Sequence, residues 1–400
     1  MQPITAPAPT TDSGQRPRRG RWVWRLTGAA TVAGLSVLTG VWVFVPPHGS
    51  PAGIEQAVLP SSSFTVTSPV TALNVQSYGA PIKVTAVAAG SPVTVTESVV
   101  FDPASGPPGI THADHHGLLT LAAPACARSD CNVGFTVTVP VGTAVTATAD
   151  GGTVSVTGTG ATAVDAGGGQ VYASRISGPL TVNAEGGEVI VDHATAGATV
   201  DSGSGPVSVS DITGPLKVSA EGGEITAAHA QAAVLDSGGG PVYATGISGQ
   251  LSVTAEGGGV TVSGAGPARI DSGSGPVTAT TISGPLNVTT EGGAVQAEDV
   301  TGALTADTGG GPLAAGGLTS ASATVTAESG DVTLGFTSAP QSVMVSTGGG
   351  QATVSVPGGP YAVSADSGGS TSSVTVPVSP TADRSISVST DGGDLQIGPA

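Results

Sequence analysis

From about residue 147 onward, apolar and polar residues alternate along the chain in short runs separated by glycine-rich corners. In the run 199–216, TVDSGSGPVSVSDITGPL, Val200 falls on one face while Thr199 and Asp201 fall on the other. After the Gly-Ser-Gly-Pro corner, Val207 and Val209 return to the first face, and Ile212 and Leu216 bracket a second corner. A period of two is the signature of a strand with one buried side. Two such strands fit between successive copies of the corner.

The corners themselves repeat. Asp-Ser-Gly-Ser-Gly-Pro-Val begins at Asp201 and Asp271, Asp-Ser-Gly-Gly-Gly-Pro-Val at Asp236, and weaker copies at Asp165 and Asp307. Ala-Glu-Gly-Gly alternates with them through Glu185, Glu221 and Glu256, with variants at Glu291 and Glu328. Each type recurs about every 35 residues, so one structural turn takes about 17–18. A repeat of that length with strand periodicity predicts an all-β, single-chain β-solenoid or β-helix. Stacking its turns lines up Val182, Val200, Val218, Leu235, Val253, Ile270 and Val288 in one interior column. Val189, Val207, Ile225, Val242, Val260, Val277 and Val295 form a second. Small residues beside them (Ala184, Ser202, Ala220, Ser237, Ala255, Ser272) leave room for a thin core only. About fourteen turns at roughly 4.8 Å each predict a rod on the order of 65 Å long. The corner glycines are expected to supply positive φ.

Less regular segments flank the repeat. Residues 64–146 contain strand-like runs at Val70–Val75, Ile82–Val87, Val93–Val100 and Phe135–Val139 and read as an N-terminal β region. The repetitive solenoid is expected over 147–341, and 342–400 as drifting final turns and a cap.

The N-terminus is different in kind. Residues 26–45, LTGAATVAGLSVLTGVWVFV, carry no charge and would span roughly 30 Å as a helix. Trp22, Trp24 and Trp42 flank this stretch as interfacial aromatics do, and Arg16, Arg18, Arg19, Arg21 and Arg25 precede it. The reading is one transmembrane signal-anchor helix with residues 1–25 as a disordered, basic cytoplasmic tail. Residues 46–63, rich in Pro, Gly and Ser, form a linker, and the bulk of the chain is extracytoplasmic. Val45-Pro46-Pro47 offers no small-x-small site for cleavage.

The order of these parts resembles the bacterial putative-adhesin domain family, a β-strand-repeat family of unknown function. The resemblance rests on Val137-Thr138-Val139-Pro140-Val141-Gly142-Thr143 closing the irregular region, and on Glu328-Ser329-Gly330-Asp331-Val332-Thr333-Leu334. The stretch Val356-Pro357-Gly358-Gly359-Pro360-Tyr361 adds to it. It extends over about residues 65–400 and implies a repetitive β fold at the cell surface. Most turns here place Pro, Glu or Gly where the family favours Asp, and the resemblance brings no catalytic residue.

Composition narrows the function. The chain has 63 Gly and 30 Pro but only 3% aromatic and 10% charged residues, which excludes a helix-rich, salt-bridged enzyme. Five basic residues and one acidic residue lie in the first 45, net +4. Six basic and 27 acidic residues follow, net −21. An acidic surface without a basic patch repels phosphate backbones, so no nucleic-acid partner is expected. The membrane is the expected partner of the anchor, and an envelope polymer or a surface protein that of the rod. Nothing fixes the oligomeric state.

Four groups of residues carry candidate chemistry. Asp165, Asp201, Asp236, Asp271 and Asp307, with Glu185, Glu221, Glu256 and Glu291, predict an acidic stripe. The turns do not match the calcium-binding nonapeptide, so solvated charge is the plainer account. Thr111-His112-Ala113-Asp114-His115-His116 has zinc-ligand residue types but sits beside a Gly/Pro-rich stretch, which favours an exposed loop. Cys126 and Cys131, the only cysteines, read as a structural disulfide outside the membrane. A polysaccharide-cleaving β-helix would need paired carboxylates and aromatic platforms, and between 173 and 335 the one aromatic is Tyr243. The expectation is a non-catalytic surface module with neither cofactor nor metal. The alternatives are an envelope sensor or scaffold signalling through a partner and, behind it, a polysaccharide-active enzyme.

Overall fold

The computed structural model describes residues 56–123 and 131–400. The expected anchor and tail therefore lie outside the described residues, as does Cys126. Among the described residues no helix is long and apolar enough to cross a membrane.

Apart from antiparallel strands between 93 and 115, residues 72–399 form two parallel ladders that face each other across a thin core. One ladder runs through Ala144–Asp150, Thr162–Ala166, Leu180–Ala184 and Ala198–Ser202, and on by single steps to Ser342–Thr347. The other runs through Val154–Thr157, Val171–Ile176 and Val189–Ala194 to Ala352–Val356. About 12 turns succeed one another at a spacing near 18 residues. The last 40 or so residues join the same two ladders but do not simply continue the spiral.

The register agrees with the alternation pattern. Val200 pairs with Val182 and Val218, and Val207 with Val189 and Ile225. Both expected columns are buried along their whole length, whereas Thr199 and Asp201 are exposed. Valine and isoleucine suit these positions because a branched Cβ packs well on a pleated, half-buried strand.

Core packing follows a two-turn rhythm. At one side of the core Ile176 and Leu180 share a turn, Ala194 and Ala198 the next, Ile212 and Leu216 the next, then Ala230 and Ala233. A bulky pair lies over an alanine pair, so large side chains fill the space that the small ones leave. This alternation is the physical content of the 35-residue repeat. Buried aromatics lie towards the ends: Phe101 and Phe135 near one, Phe336 and Tyr361 near the other.

Both ends depart from simple stacking. The strands Ala72–Tyr78 and Ile82–Val87 extend the two ladders, pairing with Ala144–Asp150 and Val154–Thr157. The solenoid thus begins well before residue 147. Outside this turn lie Leu118–Ala122 and Asn132–Pro140, although both come later in sequence. Antiparallel strands then close that end, with Val93–Phe101 on Asn132–Pro140 and Thr111–His115 on Leu118–Ala122. At the far end the chain leaves Val356, forms the outermost turn with Ala362–Asp366 and Ser372–Val374, and comes back. Its last strands, Ser385–Thr390 and Leu395–Pro399, fill the place between that turn and Ser342–Val356. At each end, therefore, an early or late turn is sandwiched beneath an excursion.

Candidate functional site

Each turn has two places where the chain changes course, and they are built differently. The first is the glycine corner that follows Ala184, Ser202, Ala220 and Ser237. Its last glycine packs against the same glycine of the turn before. A Cβ on Gly240 would lie 2.0 Å from the Gly223 carbonyl oxygen, and one on Gly223 would lie 2.0 Å from that of Gly205. The same clash recurs from Gly152 to Gly393, so a spine of glycine runs along the rod. These glycines do not have positive φ. Close approach of neighbouring turns, and not a left-handed backbone as the sequence suggested, requires them.

Buried hydroxyls complete this corner. Ser202, Ser237 and Ser272 donate to the carbonyls of Gly205, Gly240 and Gly275 at 3.0, 2.6 and 3.1 Å. The intervening position has open space, nothing lying within 4 Å of a Cβ on Gly168 or Gly222. It is here that the sequence varies between glycine and serine (Ser204, Gly239, Ser274).

The acidic residues flank the same corner. Asp201, Asp236, Asp271 and Asp307 are exposed but do not adjoin one another, because Ser219, Thr254 and Thr289 occupy the turns between them. Successive aspartates are thereby held roughly 9.6 Å apart, two ladder steps. Asp165 likewise pairs with Asn183. Glu185, Glu221, Glu256 and Glu291 are exposed on the alternate turns.

The second change of course is a bulge before the opposite corner. Ser174 pairs with Asp192, and Ile176 with Ala194, but Arg175 and His193 are skipped. Both are left-handed, at φ +54° and +58°. The left-handed residue resets the alternation: Ala173 is buried, Ser174 and Arg175 point outward, and Ile176 is buried again. Successive turns repeat it, through Gly158, Arg175, His193, Asp211, His229, Gly246, Gly264, Thr281, Asp299 and Gly317. A non-glycine residue held there costs on the order of 1 kcal/mol. Glycine would avoid that cost, yet four successive turns carry charged or titratable side chains.

Those side chains meet. The Asp211 carboxylate lies between two imidazoles, 3.7 Å from His193 Nε2 and 3.5 Å from His229 Nδ1. His193 Nδ1 is 2.7 Å from Asp192 Oδ1, and Ser210 donates to that same oxygen at 3.0 Å. Ligand atoms of Asp192, His193 and Asp211 lie within 4.8 Å of one another, the sole such group among the described residues. Sequence reading passed over it, although the signal was present: His193, Asp211 and His229 are one turn apart each.

The histidine-rich segment does not assemble in this way. It forms the antiparallel strand Thr111–His115, with His112 hydrogen-bonded to the buried carboxylate of Glu97 and set edge-on to Phe64 at 5.0 Å. Asp114 accepts from Ser68. Cys131 is buried at the edge of the strand Asn132–Pro140, and its pairing with Cys126 stands as a proposal. A shallow, open groove of about 480 Å³ near the N-terminal end is lined by Leu118, Ala144, Ala161, Ala163 and neighbouring small residues. It contains no titratable side chain.

The model of a family described as Toastrack DUF4097 matches residues 110–398. No curated protein matches the sequence. Among solved structures, a putative cell adhesion protein from Clostridium sporogenes aligns over 85% of this chain and 99% of its own, at 7% identity and a TM-score of 0.19. A putative adhesin from Parabacteroides distasonis aligns over 74% and 96%, at 14% identity and a TM-score of 0.21. Scores this low carry no argument about the present molecule.

Proposed function

The chain belongs to the Toastrack DUF4097 family, and we propose that it is a non-catalytic interaction module held by an N-terminal helix at the outer face of a cell membrane. One observation carries the interaction reading: a long, regular surface on which exposed carboxylates recur turn after turn, aspartate alternating with glutamate. Many equivalent weak contacts on a stiff support favour avidity toward a repetitive partner, such as an envelope polymer or another surface protein. The anchoring half rests on the uncharged residues 26–45 behind their arginine cluster. The scarcity of aromatics also supports a role without catalysis: between Tyr243 and the end of the regular turns no exposed aromatic offers a platform for a sugar ring.

Two measurements test this. Protease added to intact cells should digest the chain beyond residue 46 and spare an N-terminal tag, whereas release of the chain into the medium would overturn anchorage. The full chain reconstituted in vesicles should cosediment with cell-envelope material, and Asp201→Asn, Asp236→Asn and Asp271→Asn together should weaken this severalfold. No binding at any salt concentration would overturn the interaction reading.

A further inference from the structure

We propose that Asp192, His193, Asp211 and His229 form a binding site for one divalent transition-metal ion of the zinc class. The cluster stands at a single place in the left-handed column. Neighbouring turns bring its ligands together, so they converge only because the ladders hold them one step apart. The donor set mixes imidazole nitrogen with carboxylate oxygen, which suits zinc, nickel or copper better than the all-oxygen shell that calcium requires. Two carboxylates beside neutral imidazoles offset the charge of a divalent ion.

Several details favour a ligand-binding role over incidental contact. The atoms of Asp192, His193 and Asp211 already lie within 4.8 Å of one another, so closing on an ion needs only small rotations of exposed side chains. His229 Nδ1 lies 3.5 Å from the other Asp211 oxygen, outside the group of three, and would reach the ion only by a further side-chain rotation. Ser210 fixes Asp192 through a hydrogen bond, the outer contact that commonly orients a metal-binding carboxylate. The next residue in the column is Gly246, where a Cβ would come 2.9 Å from the His229 ring. The ring thus occupies space that a side chain on the following turn would close. Arg175 is the neighbouring residue on the opposite side, so the ion would be confined to the Asp192–His229 stretch.

The column also provides a clean test. Gly246, Gly264 and Gly317 already occupy it, so glycine replacements of the histidines relieve backbone strain and should not unfold the chain. Zinc, with nickel in parallel, should be titrated into the full chain against a chromogenic chelator. One equivalent is expected to bind, with affinity lowered at least tenfold by His193→Gly or Asp211→Asn and less by His229→Gly. His115→Gln and His116→Gln, outside the cluster, should leave it unchanged. Circular dichroism of each variant checks folding. No binding, or binding that the double replacement His193→Gly/His229→Gly leaves intact, overturns the proposal.

Discussion

The two places where each turn changes course solve one geometric problem in opposite ways. The glycine corner presses backbone against backbone, so its chemistry is fixed: a side chain on Gly240 has nowhere to go. The left-handed bulge points its side chain outward, so any residue able to bear the backbone strain is admitted. The first is therefore repetitive and the second variable, within one turn of about 18 residues. In a repeat protein, structure and chemistry can occupy different corners of the same unit. Variation at one then leaves the other intact.

The largest expected effect probes the walls between the corners. Val207→Asp places an unpaired carboxylate in the column between Val189 and Ile225 and should cost about 4 kcal/mol or more. Thr199→Asp, on the outer face, should be near neutral in the same denaturant titration. Next comes the glycine spine. Gly240→Ala should destabilise by about 3 kcal/mol or locally unseat two turns, while Gly239→Ala, whose Cβ meets only a carbonyl oxygen 4.0 Å away, should be tolerated. Equal tolerance would break the contrast between the corners.

Ser237→Ala leaves the Gly240 carbonyl without its buried donor and should cost about 1–2 kcal/mol by thermal unfolding. At the bulge the sign should reverse. His229→Gly removes left-handed strain and should be neutral or stabilising by up to about 1 kcal/mol. Loss of stability there would mean that the side chain supports the fold.

The smallest effect concerns pH. The side-chain hydroxyl of Thr371, with help from its backbone N–H, holds the exposed Asp394 carboxyl below its usual range. A carboxyl depressed in the folded state stabilises above its unfolded pKa, and that contribution fades as pH falls through the folded value. Hydrogen exchange in 371–374 should therefore quicken slightly on acidification below the ordinary carboxylate range. Thr371→Val should weaken that dependence, leaving only the share of the backbone N–H.

Much of the middle of the molecule was legible in the sequence. Alternation set the inward residues, and the 35-residue repeat set the stacking, so both valine columns emerged in register. The bulge was not legible, because a left-handed residue resets the parity that strict alternation assumes. The spacing of one turn already sets His193 beside Asp211, but alternation alone points both inward and so hides the cluster. The glycine spine was visible as a pattern, but its cause is contact between turns, which no local rule reports. The ends escaped for a related reason: the pairing of Ser385–Thr390 with Ser342–Thr347 leaps over an intervening turn.

That leap changes how the rod can come apart. A spool whose outermost winding is also its free end unwinds one loop at a time, each loop held along a single edge. Here the last strands of the chain are gripped along both edges, by Ser342–Val356 on one side and by 361–376 on the other. The first full turn, 72–87, is gripped in the same manner at the opposite end. Tension applied at the C-terminus must then shear two rows of hydrogen bonds at once before any loop is released, whereas at the other end Ala57–Val58 and Ser62–Val66, each paired only with Val93–Phe101, peel first. A filament pulled from its C-terminus would resist unravelling from that end inward.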